Sequence, residues 1–110
     1  MPNVKFYIDA RTCPASREAI AGMLPDLRAL ICETLEVPPE ACQFALIEVA
    51  GMDDQPQINT ELQLLPSPTR TPDHLRGVAH RLRETLEQST GVSVAVRMAT
   101  LDPQTYVALK

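Results

Sequence analysis

Residues 1–14 read MPNVKFYIDARTCP, and residues 58–72 read INTELQLLPSPTRTP. Both stretches run in steps of two and then break at an arginine, a threonine and a proline. In the first, Val4, Phe6 and Ile8 alternate with Asn3, Lys5, Tyr7 and Asp9. In the second, Ile58, Thr60, Leu62 and Leu64 alternate with Asn59, Glu61, Gln63 and Leu65. A period of two is the pattern of a strand with one face buried. The exits match as well, Arg11 to Pro14 in one stretch and Arg70 to Pro72 in the other. Shared pattern with shared punctuation is an internal repeat.

After each exit the period changes. Ile20, Leu24, Leu27, Ile31 and Leu35 recur at steps of four and three, which predicts a helix from about Ser16 to Leu35 with Pro14 in its first turn. Pro25 lies inside it, lacks an N–H, and predicts a kink or a split. After the second exit, Thr71 is placed to cap a helix, Pro72 to begin it, and Asp73 to sit near its positive end. Leu75, Val78, Ala79, Leu82 and Leu86 give the apolar face of that helix, and Gly91 follows it. Each helix leads back to a strand. CQFALIEVA (42–50) is nearly all apolar, which predicts a strand buried on both faces in a parallel pair. VSVAVRMA (92–99) is the fourth strand, and residues 51–57 are a polar connector.

The order strand–helix–strand, twice, predicts an α+β fold. Two βαβ repeats form a four-stranded sheet with two helices on one face, each crossover right-handed. The chain is expected to be one domain over 1–110, with pseudo-repeats at 2–50 and 57–100 and a tail at 101–110. Such a sheet leaves one face uncovered, with apolar surface to spare, and two strand edges unpaired. Closure of several copies into a barrel removes both problems, and six units with three-fold symmetry predict an obligate trimer.

Composition narrows the function classes. One hundred and ten residues support one core, and 45% hydrophobic residues are ordinary for a globular chain. Ten basic against fourteen acidic side chains argue against a nucleic-acid partner. Two Tyr, two Phe and no Trp offer no base-stacking platform. Three cysteines, with no C-x-x-C, support neither a disulfide framework nor a zinc site. Reduced thiols are expected, with Cys13 exposed between Thr12 and Pro14. No leader and no membrane span are visible, so the expected location is cytoplasmic. There is no glycine-rich phosphate loop, no G-x-S-x-G and no H-E-x-x-H. His74 and His80 are six residues apart, on different faces of their helix, and RGVAHRLRE (76–84) reads as a solvated helix face. No cofactor is expected.

The residue with chemical promise is Pro2. A proline that begins a strand needs no explanation beyond its missing N–H. Once Met1 is removed, however, Pro2 carries a free secondary amine. An α-amine titrates near about 7.7–8.0. Burial or a nearby cation disfavours its charged form, which suits it to general-base work near neutral pH.

Pro2 at the head of the first strand, two βαβ units in about 110 residues, the arginine loops and the VPPE turn at Val37–Glu40 together resemble the tautomerase superfamily. That superfamily includes the 4-oxalocrotonate tautomerases, the macrophage migration inhibitory factor group, the 5-carboxymethyl-2-hydroxymuconate isomerases and the 3-chloroacrylic acid dehalogenases. This chain resembles the fused form, in which three chains assemble. The resemblance implies a cofactor-independent isomerase that moves a proton between carbon and oxygen on a small keto–enol carboxylic acid, with Pro2 as base. Adjacent units in that fold run antiparallel, so Arg70 is expected near Pro2. There its guanidinium would bind a substrate carboxylate through two parallel hydrogen bonds and lower the amine pKa.

Arg11, in the matching loop, is expected at the opposite sheet edge, either as a remnant of the repeat or as a contributor to a neighbour's pocket. Gln43 stands where some members carry a cation and supplies a hydrogen bond without charge. Tyr106 in the tail is a candidate proton donor to a neighbouring subunit, with packing as the alternative. The Pro, Arg, Arg, Tyr, Glu order of the cis dehalogenases is not reproduced. Two further readings stay open: a hydratase or dehalogenase of unsaturated acids, and a non-catalytic oligomeric module of the same fold. The missing second cation points to the latter. The enzyme reading also requires that Met1 be removed, since retention makes the Pro2 nitrogen an amide.

Overall fold

The two alternating stretches form the central strands of one sheet. The computed structural model describes residues 2–12 and 14–110. Met1 and Cys13, and with them the expected exposure of Cys13, lie outside the described residues. Strand β1 is Asn3–Asp9, helix α1 Ala15–Leu35, β2 Gln43–Val49, β3 Ile58–Leu64, α2 Pro72–Thr90 and β4 Val94–Thr100. The sheet order is β2-β1-β3-β4. Strands β1 and β2 are parallel, as are β3 and β4, whereas β1 and β3 are antiparallel. Each half is therefore a βαβ unit, and one antiparallel seam joins them.

Alternation decides what the sheet buries. Val4, Phe6 and Ile8 from β1 and Ile58, Leu62 and Leu64 from β3 face the helices. They meet Ile20, Leu27, Ile31 and Leu35 of α1 and Val78, Leu82 and Leu86 of α2, all of them buried. The opposite face over the central strands is polar. Lys5 lies across from Glu61, and Glu61 across from Arg97, a row of alternating charge. Arg97 Nε donates to Asn59 Oδ1 at 3.1 Å, and Asn59 Nδ2 donates to Glu61 Oε1 at 3.2 Å.

Two sequence expectations change here. The uncovered face is apolar chiefly on its β2 side, where Ala45 and Ile47 share the face of Lys5 and Tyr7. Strand β2 itself is not buried on both faces. It is an outer strand, parallel to β1 as expected but with no second neighbour, and Phe44, Ala45, Leu46 and Ile47 are only half-buried. An apolar run reports hydrophobic surroundings on two sides, but strand order decides whether one chain provides them.

The helices begin and end for local reasons. Thr71 Oγ1 accepts the His74 N–H at 3.2 Å, Pro72 needs no partner in the first turn, and Gly91 ends α2 in the left-handed region at φ 71°. Helix α1 starts after Pro14 without a side-chain cap and ends at Glu36, a non-glycine residue at φ 55° whose N–H bonds Cys32 O. Pro25 does not split α1, which runs unbroken for 21 residues. The proline leaves one carbonyl, that of Ala21, without its usual donor, while Ile20 and Leu27 anchor the helix on either side. Among the described residues, no helix is long and apolar enough to cross a membrane.

Because Pro25 is solvent-exposed, its replacement sacrifices no packing. Pro25→Ala is expected to stabilise the protein by about 1–3 kcal/mol, read by urea denaturation. A loss of stability would show that α1 depends on the proline.

Candidate functional site

The antiparallel seam sets which chain ends meet. Asn3 pairs with Gln63 of β3 and with Gln43 of β2, so the heads of β1 and β2 and the end of β3 share one end of the sheet. Leu64 pairs with Thr100, so the segment after β4 leaves from there too. Pro2 sits at this end. It is buried, and its carbonyl accepts the Gln43 N–H at 3.0 Å.

Arg70 arrives at the same end from the loop after β3. Its Nη1 donates to Leu65 O at 2.6 Å and its Nη2 to Leu35 O at 3.4 Å, while Nε is buried with no partner. Two carbonyls thus orient the guanidinium without neutralising it, and part of its five-donor fork stays unused. Leu35 is the last residue of α1, where unpaired carbonyls concentrate negative partial charge. A ring nitrogen of His74 lies 2.7 Å from the neighbouring Thr34 O, so two side chains of one loop-and-helix segment cover the end of α1.

Residues that the sequence reading did not single out complete this end. Asn3, Lys5, Glu61 and Gln63 line a cavity of about 20 Å³ on the uncovered face, space for one water. Asn3 Oδ1 is buried without a partner. The alternation already put these side chains opposite the core, but only the register puts them beside one another. Tyr106 follows a turn at residues 103–105. Its N–H bonds Asp102 O at 2.9 Å, and its side chain is exposed, as are Val107 and Leu109.

Arg11 lies at the other end of β1 and has a different environment. Its Nη2 is 2.6 Å from Asp9 Oδ2, its Nε donates to Asp9 Oδ1 at 3.0 Å, its Nη2 donates to Met52 O at 2.9 Å, and its Nη1 pairs with Asp53. Asp9 is almost fully buried, and its N–H bonds Gln57 O at 2.9 Å. Hydrogen bonds from the Arg11 side chain and then its backbone N–H hold the Asp9 carboxyl at about 2. Gly51 packs against this pair. A Cβ there would stand 2.6 Å from Asp9 Oδ2 and 2.8 Å from Gln55 Nε2. The ensemble clamps the 51–57 connector onto β1. The structure therefore brings Pro2, Gln43 and Arg70 to one sheet end, starts the Tyr106 tail from that end, and holds Arg11 away from it.

Solved structures share this architecture. Native fused 4-OT superposes with a TM-score of 0.77 at 13% identity, covering 96% of this chain and 91% of that one. A wild-type fused 4-OT asymmetric trimer gives 0.74 at 19% identity, covering 97% and 91%. A macrophage migration inhibitory factor-like protein from Entamoeba histolytica gives 0.72 at 12% identity, covering 97% and 94%. The fold is thus the one seen in these fused 4-OT and macrophage migration inhibitory factor-like structures. No family model matches the sequence. A curated protein, BPI fold-containing family B member 1 of Rattus norvegicus, is 28% identical over 111 residues, 94% of this chain and 24% of that protein. The chain therefore spans about a quarter of the length of that relative.

The Asp9 clamp makes a pH prediction. Its carboxyl titrates at about 2 in the folded protein, against about 3.9 when unfolded. A depressed pKa contributes stability that is present above the unfolded value and is lost as pH falls through the folded one. Asp9→Asn is thus expected to be less stable than wild type near neutral pH, and the gap should close between about pH 4 and pH 2. Denaturant melts across this range test it; a gap that does not change with pH contradicts the assignment.

Proposed function

We propose that this chain is a cofactor-independent tautomerase that moves a proton on a small keto–enol carboxylic acid. Pro2 acts through its free nitrogen as general base, and Arg70 binds the carboxylate. The observation that carries the reading is that a buried Pro2 and the Arg70 loop lie at the same end of the sheet. A neutral amine is easier to keep in a buried setting than an ammonium ion, and a neutral amine is what a base must be. The proton leaves the carbon next to the carbonyl, passes to the proline nitrogen, and returns at the other end of the enol system. The carboxylate bound by guanidinium holds the acid in one pose through this exchange. Gln43 steadies the strand that carries Pro2 through its N–H bond to the Pro2 carbonyl.

The proposed working form is a homotrimer. The half-exposed apolar side chains of β2, and the exposed Tyr106, Val107 and Leu109 of the tail, are surfaces that neighbouring copies would cover. In that assembly Tyr106 would reach a neighbouring pocket, and the location would be the cytoplasm. A non-catalytic module of the same fold is the second reading. It is favoured by the missing second cation and by the engagement of Arg70 by its own chain's Leu65 and Leu35 carbonyls.

Intact mass and kinetics separate the two. The mature protein should lack one methionine and should convert enol to keto forms of phenylpyruvate or 2-hydroxymuconate. Pro2→Ala should lower kcat by roughly 10²–10⁴-fold, the usual contribution of a general base. Arg70→Ala should raise KM if the arginine binds substrate and transition state alike, and lower kcat if it acts on the transition state. A retained methionine, or equal rates in wild type and Pro2→Ala, leaves the module reading. Sedimentation analysis tests the assembly, with a monomer at micromolar concentration as the contrary result.

A further inference from the structure

Two thiols outside this chemistry lie against one another. Cys32 is near the end of α1, and Cys42 immediately precedes β2. Their Sγ atoms are 3.3 Å apart, and both residues are free and partly exposed. The surrounding backbone fixes each of them. Cys32 O accepts the N–H of Glu36 and, at 3.1 Å, that of Val37. The Cys42 N–H bonds Pro39 O at 3.0 Å. Between them, Pro38 and Pro39 remove two freely rotating φ angles and lead into a 3₁₀ turn at Pro39–Ala41. The segment that separates the thiols is thus already folded back on itself, and closing it costs little further chain entropy.

We propose that Cys32 and Cys42 form a peroxide-sensitive dithiol that oxidises to an intrachain disulfide. Cys32 reacts first, as the thiolate. Its sulfur attacks one peroxide oxygen, an S–O bond forms, the O–O bond breaks, and the hydroxide that leaves takes up the proton Cys32 lost on ionising, giving the first water. The Cys42 sulfur then attacks the Cys32 sulfur of the resulting sulfenic acid. The S–S bond forms, the S–O bond breaks, and the departing hydroxide takes the Cys42 proton as water. In sum, two thiols and one peroxide give one disulfide and two waters, with the sulfurs oxidised and both peroxide oxygens reduced. Burial, and then the neighbouring Cys32 thiol, push the Cys42 thiol up to about 12. Cys42 is therefore disfavoured as the first thiolate, which fits it as the resolving group of the pair. A disulfide needs the sulfurs at about 2.05 Å, an approach of about 1.2 Å from their 3.3 Å contact. The bond would tie the end of α1 to the residue before Gln43, at the same sheet end as Pro2, and it does not depend on any catalytic activity there.

Peptide mapping of the full-length protein tests the proposal. Reduced protein is treated with stoichiometric hydrogen peroxide, remaining thiols are alkylated, and the digest is read by mass spectrometry without reduction. The expected product is a Cys32–Cys42 linked peptide, two hydrogens lighter than its parts, with Cys13 alkylated. At a fixed peroxide concentration the rate constant for its formation should not depend on protein concentration, and dithiothreitol should reverse it. Cys13→Ser should behave as wild type, and Cys42→Ser should stop at an oxyacid on Cys32. Continued alkylation of both Cys32 and Cys42, or disulfides that run only between chains, would overturn the proposal from the wild-type map alone, whatever the variants do to folding.

Discussion

The antiparallel pairing of β1 with β3 is the constraint on which the rest of the molecule depends. Each βαβ unit can satisfy its own parallel ladder, but neither can cover its apolar surface alone. The seam from Asn3–Gln63 to Ile8–Ile58 sets Val4, Phe6 and Ile8 beside Leu62, Thr60 and Ile58, and makes one continuous face for both helices. It also reverses one unit relative to the other. The head of β1 therefore lies beside the end of β3, and Pro2 shares a sheet end with the loop that carries Arg70. A slip of β1 by one residue would turn Lys5 and Tyr7 into the core.

The two arginine loops look alike as sequence and differ as chemistry. Arg11 is gripped by Asp9 and Asp53, two carboxylates that cancel its charge and spend its donors on holding the 51–57 connector. Among the described residues, the Arg70 side chain meets only carbonyls, from Leu65 and Leu35. Carbonyls orient a guanidinium but leave its net charge intact, so Arg70 keeps the capacity to attract an anion. The difference traces to the residues that close each strand. Asp9 closes β1 with a carboxylate, whereas β3 ends in Leu64 and is followed by Leu65, neither of which has a charge to offer.

The end of α1 is where the local structure converges. Thr34 O meets His74, Leu35 O meets Arg70, and Cys32 O takes the N–H groups of Glu36 and Val37. Without these partners the last carbonyls of a half-buried helix would be desolvated at a cost. Satisfying them ties the second unit's loop to the first unit's helix, and from there the chain runs through Val37, two prolines and Cys42 to the strand that hydrogen-bonds Pro2.

The amino-acid sequence alone determined the element types, their order and the inward faces of β1, β3 and α2, because a period of two or of 3.6 is written by each segment's own burial. It also determined the caps of α2, since Thr71, Pro72 and Gly91 act on their immediate neighbours. It misread β2, because apolar composition does not say how many strands lie alongside. Pro25 was open to two outcomes, and only the packing of Ile20 and Leu27 kept α1 whole. The pairing of Arg11 with Asp53, the cover of Leu35 O by Arg70, the meeting of Asn3 with Gln63 and the contact of Cys32 with Cys42 were decided by tertiary structure. Each joins residues whose separation along the chain carries no periodic signal, and only strand order and register bring them within bonding distance.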